Sequence, residues 1–450
     1  ILKVFQSVEA MQKAREVHVA IVQNGLLEND TVLGNALVDM YAKCGELENA
    51  RKVFNELPMR NVICWTSLMS GYAQHGHAEE VVNCFHQMQL EGLFPNQLTF
   101  VSILKAYSSL RAVQKGKQMH AGIVTEGLLR TDVVLGTTLM DMYTKCDECA
   151  NAQEIFDELP SRNVISWNAL IRGYYAQGNS EGALYRFKQM QSEGICPDSS
   201  TFSCILNIYG SLRTSKEGKQ IHAAVVEELF LGITNMLENG LIDMYAKCGE
   251  IANAEEIFNR IPVQDVVSIT GLLSGYVYHG RSEKAINFFE QLNCKGLSTD
   301  AVMLTHVLQA CGNIGAAETG EKILAEIVRE ELLKNDSVLG NTVVDMYAKC
   351  GCLTKAQEVF DCLPVLDVVS WAVLIAGYAR LGYAIEALHC FDRMHKKGQS
   401  ANAAIYACIL QACGDIGAGV RGEEIHKDIM SKGFLEKDIT IRNALLSMYT

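Results

Sequence analysis

Proline and tryptophan are scarce in this chain of 450 residues, with six and three copies respectively. So few prolines exclude an extended proline-rich segment. No run of about eighteen consecutive apolar residues occurs, which argues against a membrane span. Positive charge is also short: 39 Lys and Arg face 52 Asp and Glu, a formal net charge of −13. That balance counts against strong non-specific attraction to a polyanion. An initiator methionine and a signal-peptide pattern are absent, and the chain stops inside a motif, so a window of a longer protein is expected. Cysteine is plentiful, with sixteen copies, but Cys44, Cys146, Cys248 and Cys350 recur at one spacing. They occupy one structural slot rather than forming pairs, and read as small buried thiols of a reducing compartment.

A long internal repeat is what the sequence does have. MYAKCGELENARKVF begins at Met40, and close copies begin at Met142, Met244 and Met346, with a truncated fifth at Met448, each 102 residues after the last. Each 102-residue block divides into units of 31, 35 and 36 residues. The first block is 31–61, 62–96 and 97–132; then come 133–163, 164–198 and 199–234, then 235–265, 266–300 and 301–336, then 337–367, 368–402 and 403–438. Residues 1–30 end an earlier 36-residue unit and 439–450 begin a later 31-residue one.

Every unit reads as two helices. In 164–198, Trp167, Leu170, Ile171 and Tyr174 follow helical spacing, and so do Ala183, Leu184, Phe187 and Met190. All six prolines lie near unit ends, where a helix has already finished. The three tryptophans, Trp65, Trp167 and Trp371, hold the fourth position of 35-residue units and read as packing. A helical hairpin of roughly 35 residues cannot bury its own apolar face, so neighbours must stack into one all-α array over 1–450.

The alternation of 31, 35 and 36 residues resembles the pentatricopeptide repeat family, in its plant-type variant with short, standard and long repeats. GNALVDMYAKCGELENARKVFNELPMRN resembles the short type, and NVISWNALIRGYYAQGNSEGALYRFKQMQSEGICPD the standard type. STFSCILNIYGSLRTSKEGKQIHAAVVEE resembles the long type. The tetratricopeptide alternative has a constant 34-residue unit and a W-x-x-L-G signature, neither of which is present. The resemblance implies a right-handed superhelical solenoid that binds single-stranded RNA, one base per repeat, through the fifth and last residues of each unit. It also implies a mitochondrial or chloroplast RNA-editing or RNA-processing factor. Editing cofactor proteins, or a C-terminal deaminase-like domain, would then be partners.

The residues at those positions suit the task. The pairs are Asn35/Asn61, Thr66/Asn96, Thr137/Asn163, Asn168/Asp198, Asn239/Asp265, Thr270/Asp300 and Asn341/Asp367. Ionised Asp only accepts and favours uracil or guanine, Asn can donate, and the shorter Thr leaves room for a purine. Asn or Asp at a unit end can equally cap the next helix. By the resemblance, Asn35/Asn61 takes a pyrimidine, Thr66/Asn96 and Thr137/Asn163 adenine, and Thr270/Asp300 guanine; the other three take uracil. Long units and 368–402 stay unassigned, since Val101, Ala372 and Ala407 cannot hydrogen-bond through their side chains.

Two further stripes accompany the pairs. Val32, Ile63, Val134, Ile165, Val267, Val338 and Val369 hold second positions, and the resemblance makes them wedges between splayed bases; ordinary packing is the alternative. Lys43, Lys145, Lys247 and Lys349 hold thirteenth positions, as phosphate contacts or as solvated lysines at a helix end.

Nothing coherent for catalysis emerges. HAE at His77–Glu79 and CDEC at Cys146–Cys149 superficially resemble a zinc-deaminase signature, but they belong to different repeats. His18, His120, His222 and His426 share one slot that Leu324 fills in another copy, which suits packing. The expectation is a binding protein without cofactor or metal. Its alternative is a protein-binding helical scaffold.

Overall fold

A computed structural model describes residues 15–16, 18–21, 31–130, 132–228, 235–262, 264–294, 299–329 and 336–450. Most of the partial unit 1–30, and Thr234 at the end of a long unit, lie outside the described residues. Among the described residues the regular structure is helical throughout, with no strand. Each unit supplies an A helix, which begins on its first residue, and a B helix after a tight turn. The standard unit 164–198 has Val164–Ala176 and Ser180–Ser192. B helices of the short units stop after 10 residues, as in Leu47–Glu56, where Leu57 turns extended ahead of Pro58. In the standard units they run 13 residues, as in Ala78–Leu90.

The chain divides into two compact units, Ile1–Ile208 and Tyr209–Thr450. In the first, Thr31–Lys43 packs on Val62–Gln74, which packs on Gln97–Ser109, then Val133–Lys145 and Val164–Ala176. In the second, Asn235–Lys247, Val266–Tyr278, Ala301–Ile314, Ser337–Lys349, Val368–Arg380, Ala403–Asp415 and Ile439–Tyr449 succeed one another likewise. A helices thus form a row in each unit, with B helices behind them.

The fifteen-residue repeat is chiefly a packing device. Its final Phe meets the tryptophan of the following standard unit edge to face: Phe54–Trp65, Phe156–Trp167 and Phe360–Trp371 lie 4.4, 4.5 and 4.8 Å between centroids. All three indoles are buried, as a packing role requires. Its Tyr takes a hydrogen bond with the recurrent histidine, His120 Nδ1 to Tyr143 at 3.0 Å and His222 Nδ1 to Tyr245 at 2.9 Å. Its Ala or Thr after the Tyr receives a glycine of the next A helix. A Cβ on Gly71 would stand 2.5 Å from that of Ala42, and one on Gly275 2.7 Å from that of Ala246. The cysteine slot is less buried than expected: Cys146 is buried, whereas Cys44, Cys248 and Cys350 are half-buried at the helix end. Cys350 Sγ lies 3.9 Å from Met346 Sδ and 3.7 Å from the Cys311 carbonyl oxygen.

Candidate functional site

The last residue of a unit is held by the A helix of the next unit. Asn61, Asn96, Asn163, Asp265, Asp300 and Asp367 are extended residues that accept the N–H of the third residue of that helix. Asp198 accepts the Thr201 N–H at 2.8 Å in the same way. The capping role is therefore real, and it orients the side chain. Capping engages one oxygen, so an asparagine turns its Nδ2 donor away from the capped helix, while an aspartate keeps a second oxygen as acceptor.

Four of the seven fifth/last pairs are joined by hydrogen bonds. Asn168 Nδ2 donates to Asp198 Oδ1 at 2.9 Å. Asn239 Nδ2 lies 3.2 and 3.0 Å from the two Asp265 oxygens, and Asn341 Nδ2 lies 3.5 Å from Asp367 Oδ1. Thr66 is linked to Asn96 through Thr99, whose Oγ1 is 2.8 Å from Thr66 Oγ1 and 2.9 Å from Asn96 Oδ1. No hydrogen bond joins Asn35 to Asn61, Thr137 to Asn163 or Thr270 to Asp300; Thr137 and Thr270 bond their own helix, to Val134 O and Val266 O.

The link through the third residue was missed from sequence, although N-x-x-T at Asn96–Thr99 and D-x-x-T at Asp198–Thr201 carry the spacing of a capping box. Thr201 Oγ1 lies 2.6 Å from Asn168 Oδ1 and 2.9 Å from Asp198 Oδ1. Burial alone would raise the Asp198 pKa. The Thr201 N–H, the Asn168 amide and the Thr201 hydroxyl more than offset it and hold the carboxyl below its ordinary value. Asp265 and Asp367 are depressed for the same reasons, burial being overcome by hydrogen bonds from Ser268 and Asn239 and from Ser370 and Asn341. Near neutral pH all three are pure acceptors.

Second positions are exposed, which removes the packing alternative. Val32, Ile63, Val134, Ile165, Val267, Val338 and Val369 are all 54% exposed or more. Leu98, Met236 and Val302 extend the stripe into units where sequence reading did not place it.

The lysines are placed less freely than expected. Lys43, Lys145, Lys247 and Lys349 each reach back one turn to Asp39, Asp141, Asp243 and Asp345, at 2.6, 2.9, 2.7 and 2.6 Å. The D-M-Y-x-K run carries the i,i+4 spacing of this pair. Lys43 still shares a cavity of about 320 Å³ with Thr66 and Leu98.

For metal chemistry, the described residues contain no group of three or more His, Cys, Asp or Glu side chains that could hold an ion. Burial raises the pKa values of Cys146 and Cys149.

Repeated helical units of this kind have known counterparts. Residues 60–109 and 162–210 match the model of the PPR repeat family. Residues 35–62, 137–164, 239–266, 267–297, 341–368 and 369–399 match that of the PPR repeat. This chain belongs to the pentatricopeptide repeat family. Among its relatives in Arabidopsis thaliana, the pentatricopeptide repeat-containing protein At5g27110 is 34% identical over 422 residues, which cover 94% of this chain and 60% of the relative. Another, named as chloroplastic (At4g18520), is 33% identical over 89% of this chain and 64% of its own length. A third, named as mitochondrial (At2g03380), is 31% identical over 94% and 61%. This chain therefore spans roughly three-fifths of the length of those relatives. The crystal structure of the pentatricopeptide repeat protein PPR10 in complex with an 18-nt psaJ RNA element shares the fold, with a TM-score of 0.71 at 20% identity. That match covers 92% of this chain and 61% of PPR10. The crystal structure of the pentatricopeptide repeat protein PPR10 from maize gives 0.62, again at 20% identity, over 99% of this chain and 69% of its own.

Proposed function

We propose that this pentatricopeptide repeat chain binds single-stranded RNA along its row of A helices, one base per repeat. It would act as the recognition part of an organellar RNA-editing or RNA-processing factor of the plant type, with alternating short, standard and long repeats. One observation carries the reading. Asn341, Asp367, Val338 and Val369 line a single cavity of about 220 Å³. It thus combines one unit's two reader residues with the second-position aliphatics of that unit and the next. Asn341 Oδ1 is buried there without a hydrogen-bond partner. A buried acceptor left unpaired is costly, and a donor from a ligand would relieve it. The uracil N3–H between two flanking aliphatic side chains meets that need. The relatives named mitochondrial and chloroplastic, and the RNA bound to PPR10, support the wider assignment.

With the chain's N-terminus toward the RNA 5′ end, the twelve complete units read 5′-YAnAUnUGnUnn-3′. Selection from a random RNA pool tests this. Enrichment of that pattern is expected, and a scaffold for protein partners would enrich none.

A further inference from the structure

The fifteenth residue of each unit ends its A helix in left-handed backbone, and nine of the twelve complete units place glycine there. Arg111, Asp147 and Arg213 are the exceptions, with φ of 50°, 63° and 56°. A side chain at such a position costs strain that glycine avoids, so its presence calls for a use. Two of the three explain each other, because Arg111 Nη1 pairs with Asp147 at 3.0 Å. The third has lost that partner. One cycle later, the place of Asp147 belongs to Gly249, and no ion pair to Arg213 occurs among the described residues.

Arg213 instead lies over Tyr278, two units further on. Its guanidinium carbon is 4.6 Å from the ring centroid, and its Nη2 donates to the phenol oxygen. Tyr278 is itself peculiar to this cycle, since the other standard units carry Gln74, Ala176 and Arg380 at that position. Both residues line a cavity of about 420 Å³, together with Lys247, His306 and Gln309. Gly210 and Gly275 also line it. Tyr278 is 60% exposed although a cation already rests on its ring. Lys247 brings a second positive charge, balanced by Asp243, so the cavity carries one surplus cation in a chain of net charge −13.

An anion with a flat apolar face fits this set of groups. We propose that the cavity binds one nucleotide of a single-stranded RNA, its phosphate met by Arg213 and Lys247 and its base stacked on Tyr278. Arginine suits phosphate through its forked donors, and aromatic rings stack on any base. This subsite rests on the RNA-binding reading above, but it would act without regard to sequence and at a place no fifth/last pair occupies.

The test uses the whole chain and a single-stranded RNA carrying the pattern above, titrated at several salt concentrations. Arg213→Gly restores the residue that most units use, so the fold tolerates it. Loss of one phosphate contact should flatten the slope of log K against log salt by about 0.7. The double variant Arg111→Gly/Asp147→Gly, which removes a self-neutralised pair, should leave the slope unchanged. Tyr278→Ala should weaken binding about tenfold with little change of slope. Wild-type slope and affinity in both Arg213→Gly and Tyr278→Ala would overturn the subsite while leaving the RNA-binding reading intact. A wild-type chain that binds no RNA would sink both. Uridine or adenosine monophosphate binding as tightly as the strand would make this a free-nucleotide site and defeat the assignment to RNA.

Discussion

Asn168 Nδ2 donates to Asp198 Oδ1 across 2.9 Å, and the two side chains share one further group, the Thr201 hydroxyl. That hydroxyl has a single proton for two acceptors, and Thr201 is fully buried. Replacing it with valine keeps the shape and leaves Asn168 Oδ1 without its donor. Thr201→Val should cost about 1–3 kcal/mol of stability. It should also loosen base discrimination at the nucleotide read by this pair. Denaturant unfolding and competition binding measure the two effects. A variant as stable and as selective as wild type would mean that the Thr201 hydroxyl supports neither side chain and only its N–H, capped by Asp198, matters.

The lysine stripe makes a prediction in both directions. Each of its four ammonium groups is engaged by an aspartate one turn earlier. Exposed pairs of this kind are weak, about 0.3–0.5 kcal/mol, so a phosphate can compete for the lysine. Changing Asp39, Asp141, Asp243 and Asp345 together to Asn should tighten binding to every RNA alike and steepen the salt dependence. Changing the four lysines to Ala should do the reverse. Salt slopes unmoved by either set would return these lysines to solvent.

The depressed carboxyls set an acid limit. The folded-state pKa values of Asp198, Asp265 and Asp367 lie below the ordinary 3.8. Their contribution to stability is therefore present above pH 3.8 and is lost as the pH falls through the lower folded values. Uracil preference in these units should persist to the lowest pH at which the chain stays folded. Carbon-detected NMR titration of the three carboxyls gives the check. Midpoints at or above the ordinary value would mean that the hydrogen bonds do not hold in solution.

Close approach of A helices predicts a stability effect remote from any base. A Cβ on Gly71 would lie 2.5 Å from the Ala42 Cβ and 3.0 Å from its Cα, so backbone must shift. Gly71→Ala should destabilise the chain by about 1–3 kcal/mol through overpacking. Gly76 carries a positive φ with nothing near its Cβ position, so a loss on substitution there would come from backbone strain. Thermal unfolding of the two variants separates the causes.

Much of this was legible because a period of 102 residues turns each position into four or five observations. Among the described residues, most A helices start where units start because the Asn or Asp that ends the preceding unit caps them, and prolines stand where helices have ended. The Asn168/Asp198 pair could be named from its position alone. Thr201 could not, because base-reading chemistry directs attention to the pair and away from the residue that holds it. The charge of Lys43 is legible in the sequence, but its pairing with Asp39 is not, since an acidic residue looks unhelpful on a face proposed to bind RNA. The exposure of Val32 and Ile63 lay beyond sequence altogether: an aliphatic residue next to a helix start packs inward as readily as outward.

Reprogramming one unit gives the sharpest test of base reading. Changing Asn168 to Thr and Asp198 to Asn reproduces a set already native to the chain, Thr66 with Asn96. The supporting residue is in place too, because Thr201 stands where Thr99 stands, bonded to the last residue of the unit before it. Capping would hold the new asparagine by its oxygen and present Nδ2, exchanging a pure acceptor for a donor. Thr in place of Asn would open room for a purine. Preference at the fifth nucleotide should then move from uracil to adenine, by roughly 1–3 kcal/mol if it matches a good specific base contact. Four RNAs that differ only at that nucleotide, competed against one another, decide it. Should wild type and the double variant rank the four alike, Asn168 and Asp198 cap and pack without reading a base, and the assignment of the remaining pairs falls with them.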